Sequence, residues 1–268
     1  MKNRWIGAAL AVLLGAFCGL SQAQPTPAAA ANPAGSRLDA VVQSGALRVC
    51  TTGDYKPYSF LRPDGQFEGI DIDLAQSLAA SLGVKADFVK TTWSHLMGDF
   101  LAGKCDIAVG GISVSLERAR HVYFSHAVMV DGKSPIARCA DVKKYQTLAQ
   151  LDRPGVRAIF NPGGTNEKFA RKYLAQAHLI EYPDNVTIFE QIAKGKADVM
   201  VTDTSETLLQ HKLHPTLCPV NPGKPLQYGE KAYMLPQGDN VFQAYVDQWL
   251  HLTKATGAYQ KVVDHWLK

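Results

Sequence analysis

Asp203 and Glu206 stand three residues apart, directly after the short apolar run Val199-Met200-Val201, in the polar cluster Thr202-Asp203-Thr204-Ser205-Glu206. Carboxyls at that spacing can do one of two things. They can cap a helix, where acids satisfy the free N–H groups of the first turn, and spacing alone favours this. If Glu206 is instead desolvated, its pKa rises until it holds a proton near neutral pH and can donate it to a leaving group. A second cluster, Gly110-Gly111-Ile112-Ser113-Val114-Ser115-Leu116-Glu117-Arg118, follows another apolar run. Ser115 can cap a short helix carrying Arg118, and that guanidinium can pair at the surface or grip a carboxylate through two bonds, which a lysine cannot. A third, Asn161-Pro162-Gly163-Gly164-Thr165-Asn166-Glu167, precedes a helix starting near Asn166. It is either a turn with its cap or a place where backbone N–H groups meet an anion. Tyr55 and Trp93 lie just past expected strands, as core aromatics or as surfaces for a ligand ring.

Other chemistries lack their residues. The sequence has no G-x-S-x-G elbow, no H-E-x-x-H and no phosphate-binding Walker loop. His211 and His214 are three apart on one expected helix face, and we read them as solvated, with no metal site. The five cysteines never form C-x-x-C. Cys50 and Cys105, in or beside expected buried strands, read as small core groups. Cys139 and Cys218, in more polar surroundings, read as a disulfide worth about 2–4 kcal/mol.

The elements that must position these clusters alternate. Short β-rich runs (47–50, 85–89, 107–109, 156–160, 179–182, 199–201) are separated by helix-like stretches such as Ile72, Ala75, Leu78, Ala79 and Leu82 at helical spacing. This predicts an α/β fold with largely parallel sheets. One motif occurs twice: Gly103-Lys104-Cys105-Asp106-Ile107-Ala108-Val109 and Gly195-Lys196-Ala197-Asp198-Val199-Met200-Val201. Either two lobes share one plan, or a common helix-to-strand turn is met twice. Two lobes would bring the polar clusters together at the carboxyl ends of the strands, across a cleft. We expect lobe 1 at 38–136 and 231–268, and lobe 2 at 137–230.

The chain has 268 residues, 46% hydrophobic and 19% charged, enough for a real core and too apolar for disorder. The formal charge of +4 is too even for a nucleic-acid partner. Lys2 and Arg4 precede the apolar run 6–20 and the small-residue end Ser21-Gln22-Ala23, which predicts a cleavable secretory signal at 1–23. An Ala/Pro/Gly leader at 24–37 follows. The mature chain would then be exported, without a membrane anchor.

Leu47-Arg48-Val49, Gly53-Asp54-Tyr55-Lys56-Pro57-Tyr58, Gly69-Ile70-Asp71-Ile72-Asp73 and Ile112 to Arg118 resemble the family 3 solute-binding proteins of the periplasm, over nearly all of the mature chain. That resemblance implies a two-lobed, type II binding-protein fold with a ligand cleft between lobes. Thr51 to Pro57, Asn161 to Arg171, Pro183 to Phe189 and Tyr245 to His251 are similar to the cyclohexadienyl dehydratases, enzymes built on that scaffold. They convert prephenate to phenylpyruvate and L-arogenate to L-phenylalanine without a cofactor. The resemblance implies Glu206 as general acid, Arg118 on a substrate carboxylate, and Asn166 and Thr165 as second-lobe donors. It gives Lys133, just before the first crossing between lobes, as further positive charge. Tyr55 and Trp93 would line the ring pocket with Ser113 nearby, Asp203 would face a substrate amine, and Glu167 would be the rival acid. The expected partners are these small substrates, with a homo-oligomer left open. The competing reading is an amino-acid receptor for an ABC importer.

Overall fold

The computed structural model describes residues 35–267 together with Met1. The expected signal segment and most of the leader lie outside the described residues. The leader's last residues do not: Ser36 caps the helix Arg37–Ser44, and its hydroxyl and the Arg37 N–H both donate to Asp239.

Two sheets make the frame. The first runs in the order Lys85–Lys90, Ala46–Thr51, Ile107–Ala108, Met234–Pro236, Val122–Phe124. The second runs His178–Glu181, Arg157–Phe160, Val199–Asp203, Met129–Arg138, Leu217–Pro219, with Gln227–Lys231 paired beside the first half of Met129–Arg138. Each sheet has a three-strand parallel part. The remaining pairings are antiparallel, so the expectation of largely parallel sheets is corrected. Each parallel part is built from strand–helix–strand units; the antiparallel strands belong to the chain passing between the sheets and returning.

Helices cover these sheets as their apolar stripes require. Ile70–Ser81 buries Ile70, Leu74, Ala75 and Leu78 against Leu47, Val49 and Ile107 of the first sheet. Thr165–Tyr173 buries Phe169 and Ala170 against Ala158, Phe160 and Val201 of the second. Among the described residues no helix is long and apolar enough to cross a membrane.

The chain changes sheet between Phe124 and Met129, and again between Lys231 and Met234. Met129–Arg138 pairs within the second sheet from its first residue, opposite Lys231, so residues 129–136 stand in that sheet and not with lobe 1 as expected. Lys133 accordingly lies after the crossing, not before it. A small third sheet of Asp54–Tyr55, Ser59–Leu61 and Phe67–Glu68 carries Tyr55.

Both cysteine pairs are disulfides. Cys139–Cys218 matches the sequence reading. Cys50–Cys105 does not: both residues are buried, but their sulfurs are bonded to each other, with the Cα atoms 5.6 Å apart.

Candidate active site

The site forms where the polar clusters meet. Asp203 ends its strand directly opposite Lys133 on the antiparallel neighbour, and that register makes the ion pair Lys133 Nζ–Asp203 Oδ1, 2.9 Å. The other carboxylate oxygen accepts from Lys231 and from the Tyr55 hydroxyl, which reaches across from the first lobe. All four side chains are buried. Asp203 stands at the N-cap of the helix Thr204–Leu213 without making a side-chain cap bond, so the capping-box reading of Asp203-x-x-Glu206 is set aside. Burial alone would raise the Asp203 carboxyl; the two ammonium groups instead hold it well below the usual carboxylate range.

Glu206 lies in the first turn of that helix, 1% exposed. Burial, with the Asp203 charge adding to it, pushes its carboxyl up to about 8, against the opposing pull of the Thr202 hydroxyl, Lys231 and Lys133. The two acids thus have opposite protonation states at neutral pH, which is how one site holds an acid and an anion together. Thr202 donates to Glu206 Oε2 at 2.5 Å and accepts from Asn166 Nδ2 at 3.0 Å. Glu206 does not line the residual cavity; it stands one layer behind, among Thr202, Asp203 and the lysines.

Thr165 and Asn166 open the helix after Gly163-Gly164, and both accept from Lys133, at 3.0 and 2.5 Å. Gly163 has φ +87°, and a Cβ there would stand 2.4 Å from the Ser94 backbone, so this turn admits only glycine while the lobes are together. Glu167, the rival acid, is bound by the Gly163 N–H and the Arg171 guanidinium, which hold it as a carboxylate despite partial burial.

The first lobe supplies the walls. Trp93 meets Tyr55 edge-on at 5.6 Å and donates to Asp54 at 3.0 Å. Ser113 Oγ accepts from Lys231 at 3.0 Å. Ser115 does cap the helix of Arg118. Arg118 is buried, donates to the Ser113 carbonyl at 2.9 Å and feels the Asp203 charge, yet it too stands behind the cavity wall. Tyr55, Trp93, Ser113, Thr165, Asn166 and Asp203 enclose a residual cavity of only about 20 Å³.

Sequence reasoning missed Lys231, whose three N–H bonds go to Asp203, Ser113 and Tyr55. It also left Thr202 as an unassigned member of its cluster, and missed Asn185, whose amide donates to the Asp54 carbonyl across the cleft at 3.0 Å. Of the histidines read as solvated, His211 is exposed and His214 half-buried. His211 accompanies Cys139 and Cys218 within 4.8 Å, but both sulfurs are committed to the disulfide, and His211 Nδ1 lies 2.6 Å from the Leu217 carbonyl.

The sequence profile of the bacterial extracellular solute-binding proteins, family 3, matches residues 47–268. The chain belongs to this family. The chain is 53% identical over 233 residues to the protein of Pseudomonas aeruginosa named cyclohexadienyl dehydratase, covering 87% of each. It is 24% identical over 230 residues to the L-cystine-binding protein TcyJ of Escherichia coli, covering 85% of each. Among solved structures it resembles the ancestral amino acid-binding protein AncCDT-1, described as a precursor of cyclohexadienyl dehydratase (33% identity, TM-score 0.81, 87% of this chain and all of that one). It also resembles an ancestral cyclohexadienyl dehydratase, AncCDT-3 (52% identity, TM-score 0.56, 87% of this chain and 97% of that one). The family 3 fold, two α/β lobes of type II topology, is the fold described above.

Proposed function

We propose that the chain is a cyclohexadienyl dehydratase, converting prephenate to phenylpyruvate and L-arogenate to L-phenylalanine, and thus a carbon–oxygen lyase. The observation that carries this reading is Glu206: a buried carboxyl kept protonated at neutral pH beside a lysine-held carboxylate, in a relative of a protein of that name.

The reaction needs one placed acid. Glu206 donates its proton to the departing ring hydroxyl, which leaves as water as the C–O bond breaks. The bond to the ring carboxylate breaks in the same sense, its electron pair completes the aromatic ring, and carbon dioxide leaves. The Glu206 carboxylate so formed is stabilised by Lys133 and Lys231. Three cations, Arg118, Lys133 and Lys231, stand with one ionised acid, Asp203, and this surplus of positive charge suits a dianion such as prephenate. Tyr55 and Trp93 face the ring, and Ser113, Thr165 and Asn166 bind its polar groups. Such a substrate does not fit in about 20 Å³, so the lobes part to admit it and close again around it.

The receptor reading is weaker at Asp203. An amino-acid ligand's amine would compete there with two lysine ammoniums for the same carboxylate. The amine-gripping role expected of Asp203 therefore gives way, on this reading, to anchoring those cations. We further propose lobe 1 at about 38–128 and 232–268, lobe 2 between them, and a periplasmic mature protein after cleavage of 1–23.

The test is direct. Purified protein is incubated with prephenate and phenylpyruvate is followed by its absorbance in alkali. Turnover well above the spontaneous rate is expected; none, together with tight binding of an amino acid, would sink the proposal.

A further inference from the structure

Thr202 is fully buried, and its hydroxyl stands between two groups of different polarity. The direction of the bonds leading to it is set from one end. Lys133 has only donors, and its three N–H bonds go to Asp203, Thr165 and Asn166 Oδ1. Asn166 Oδ1 is therefore the acceptor, so its amide nitrogen faces the other way and donates to Thr202 Oγ1 at 3.0 Å and to Asn161 Oδ1 at 3.3 Å. The Thr202 oxygen accepts there, and its single proton is free to donate to Glu206 Oε2, 2.5 Å away.

We infer that Lys133, Asn166 and Thr202 form a one-way hydrogen-bond chain ending on Glu206, in which Thr202 is a positioning residue that occupies Oε2 as an acceptor and leaves the transferable proton on Oε1. This deepens the dehydratase reading and rests on it for its catalytic meaning. The chain does two things a lone buried glutamate lacks. It fixes which oxygen is the acid, since an oxygen accepting a short bond is the poorer place for a proton. It also favours the carboxylate left after donation, because a donated hydrogen bond stabilises the charged form. Other groups act on Glu206 from every side: Asp203 on the preceding strand opposes its ionisation, Lys133 on the neighbouring strand and Lys231 on the strand beyond it favour it, and the Tyr55 phenol faces it from the first lobe. Thr202 is distinct among them because it touches the carboxyl and carries no charge.

The test reads the carboxyl itself. In protein labelled with carbon-13 at the glutamate carboxyls, the Glu206 signal is identified by its loss in Glu206→Gln, then titrated. Thr202→Val, nearly equal in shape, should move that titration upward by about one pH unit or more, the size of a lost bond to a charged group. Thr202→Ser, which restores the donor, should return it to within a few tenths of a unit. The alkaline limb of prephenate turnover should move with it in the same direction. Should Thr202→Val fail to fold, Thr202→Ala, which adds no bulk, should give the same upward shift. An unmoved or lowered titration in the valine or alanine variant would overturn the inference. Absence of wild-type turnover would sink the dehydratase reading while leaving the carboxyl titration to decide this one.

Discussion

The two lobes use the same joint. In the first, Asp106 Oδ2 accepts from the Arg48 N–H and Nε while Oδ1 accepts from Nη2, at 2.9, 3.2 and 2.6 Å. In the second, Asp198 repeats those bonds atom for atom with Arg157, at 3.0, 3.0 and 2.7 Å. Each aspartate stands one residue before a parallel strand, each arginine one residue before the register pair Val49–Ile107 or Ala158–Val199. Each follows a glycine in the left-handed region, Gly103 at φ 72° and Gly195 at φ 71°. The lobes part company at the far end of those strands. The first continues into Gly110-Gly111, where a Cβ on Gly111 would stand 2.5–2.7 Å from the Tyr55 and Tyr58 rings. The second continues into Thr202 and Asp203, and so to Glu206. On the proposed function, the repeated part is scaffold and the unrepeated part is chemistry: one lobe makes room for rings, and the other supplies the acid.

That contrast can be broken in several ways. Glu206→Gln should cost at least about a thousandfold in prephenate turnover while calorimetry finds ligand affinity changed only a few-fold. A comparable loss from the first-lobe change Tyr55→Phe would erase the asymmetry. The same acid should leave a mark on stability. Its folded pKa, about 8, lies above the ordinary 4.5, so its proton-linked stabilisation is fully present below pH 4.5 and is lost as pH rises through 8. Against Glu206→Gln, the wild type should lose roughly 5 kcal/mol across that window in urea titrations; parallel curves would mean that the carboxyl is not displaced by burial. Asp106→Ala and Asp198→Ala should each cost about 2 kcal/mol, with matching shifts in urea midpoint. Unequal costs would mean that the joint is repeated in shape and not in energy. The smallest effect is expected from Gly163→Ala, where the added methyl must push Ser94 aside: about a tenfold drop in kcat/KM with kcat less affected, read by steady-state kinetics.

Sequence made the joint legible because its parts are local. Gly-Lys-x-Asp followed by an apolar strand is visible twice, and each polar cluster follows a strand end. The charged half of the site was harder. Asp203 and Glu206 look like a cap until Lys133 and Lys231 arrive from other strands, and Lys231 lies 28 residues from Asp203 in an otherwise ordinary Gly-Glu-Lys stretch. Glu206 as acid came from the family resemblance, not from its spacing. Cys50 and Cys105 are 55 residues apart in apolar surroundings, where a thiol and a cystine have the same neighbours. The boundary between lobes was misplaced because Met129–Arg138 is one long strand whose polar start, Val-Asp-Gly-Lys, does not read as part of a sheet.

The two cystines have a mechanical consequence. Cys50–Cys105 closes a ring wholly ahead of Met129, and Cys139–Cys218 closes another wholly between Met129 and Lys231. Neither ring encloses or spans the two peptide links between sheets. Oxidation therefore toughens each half separately and adds no tether across the joint, so a fully cross-linked molecule keeps whatever movement is proposed for its cleft.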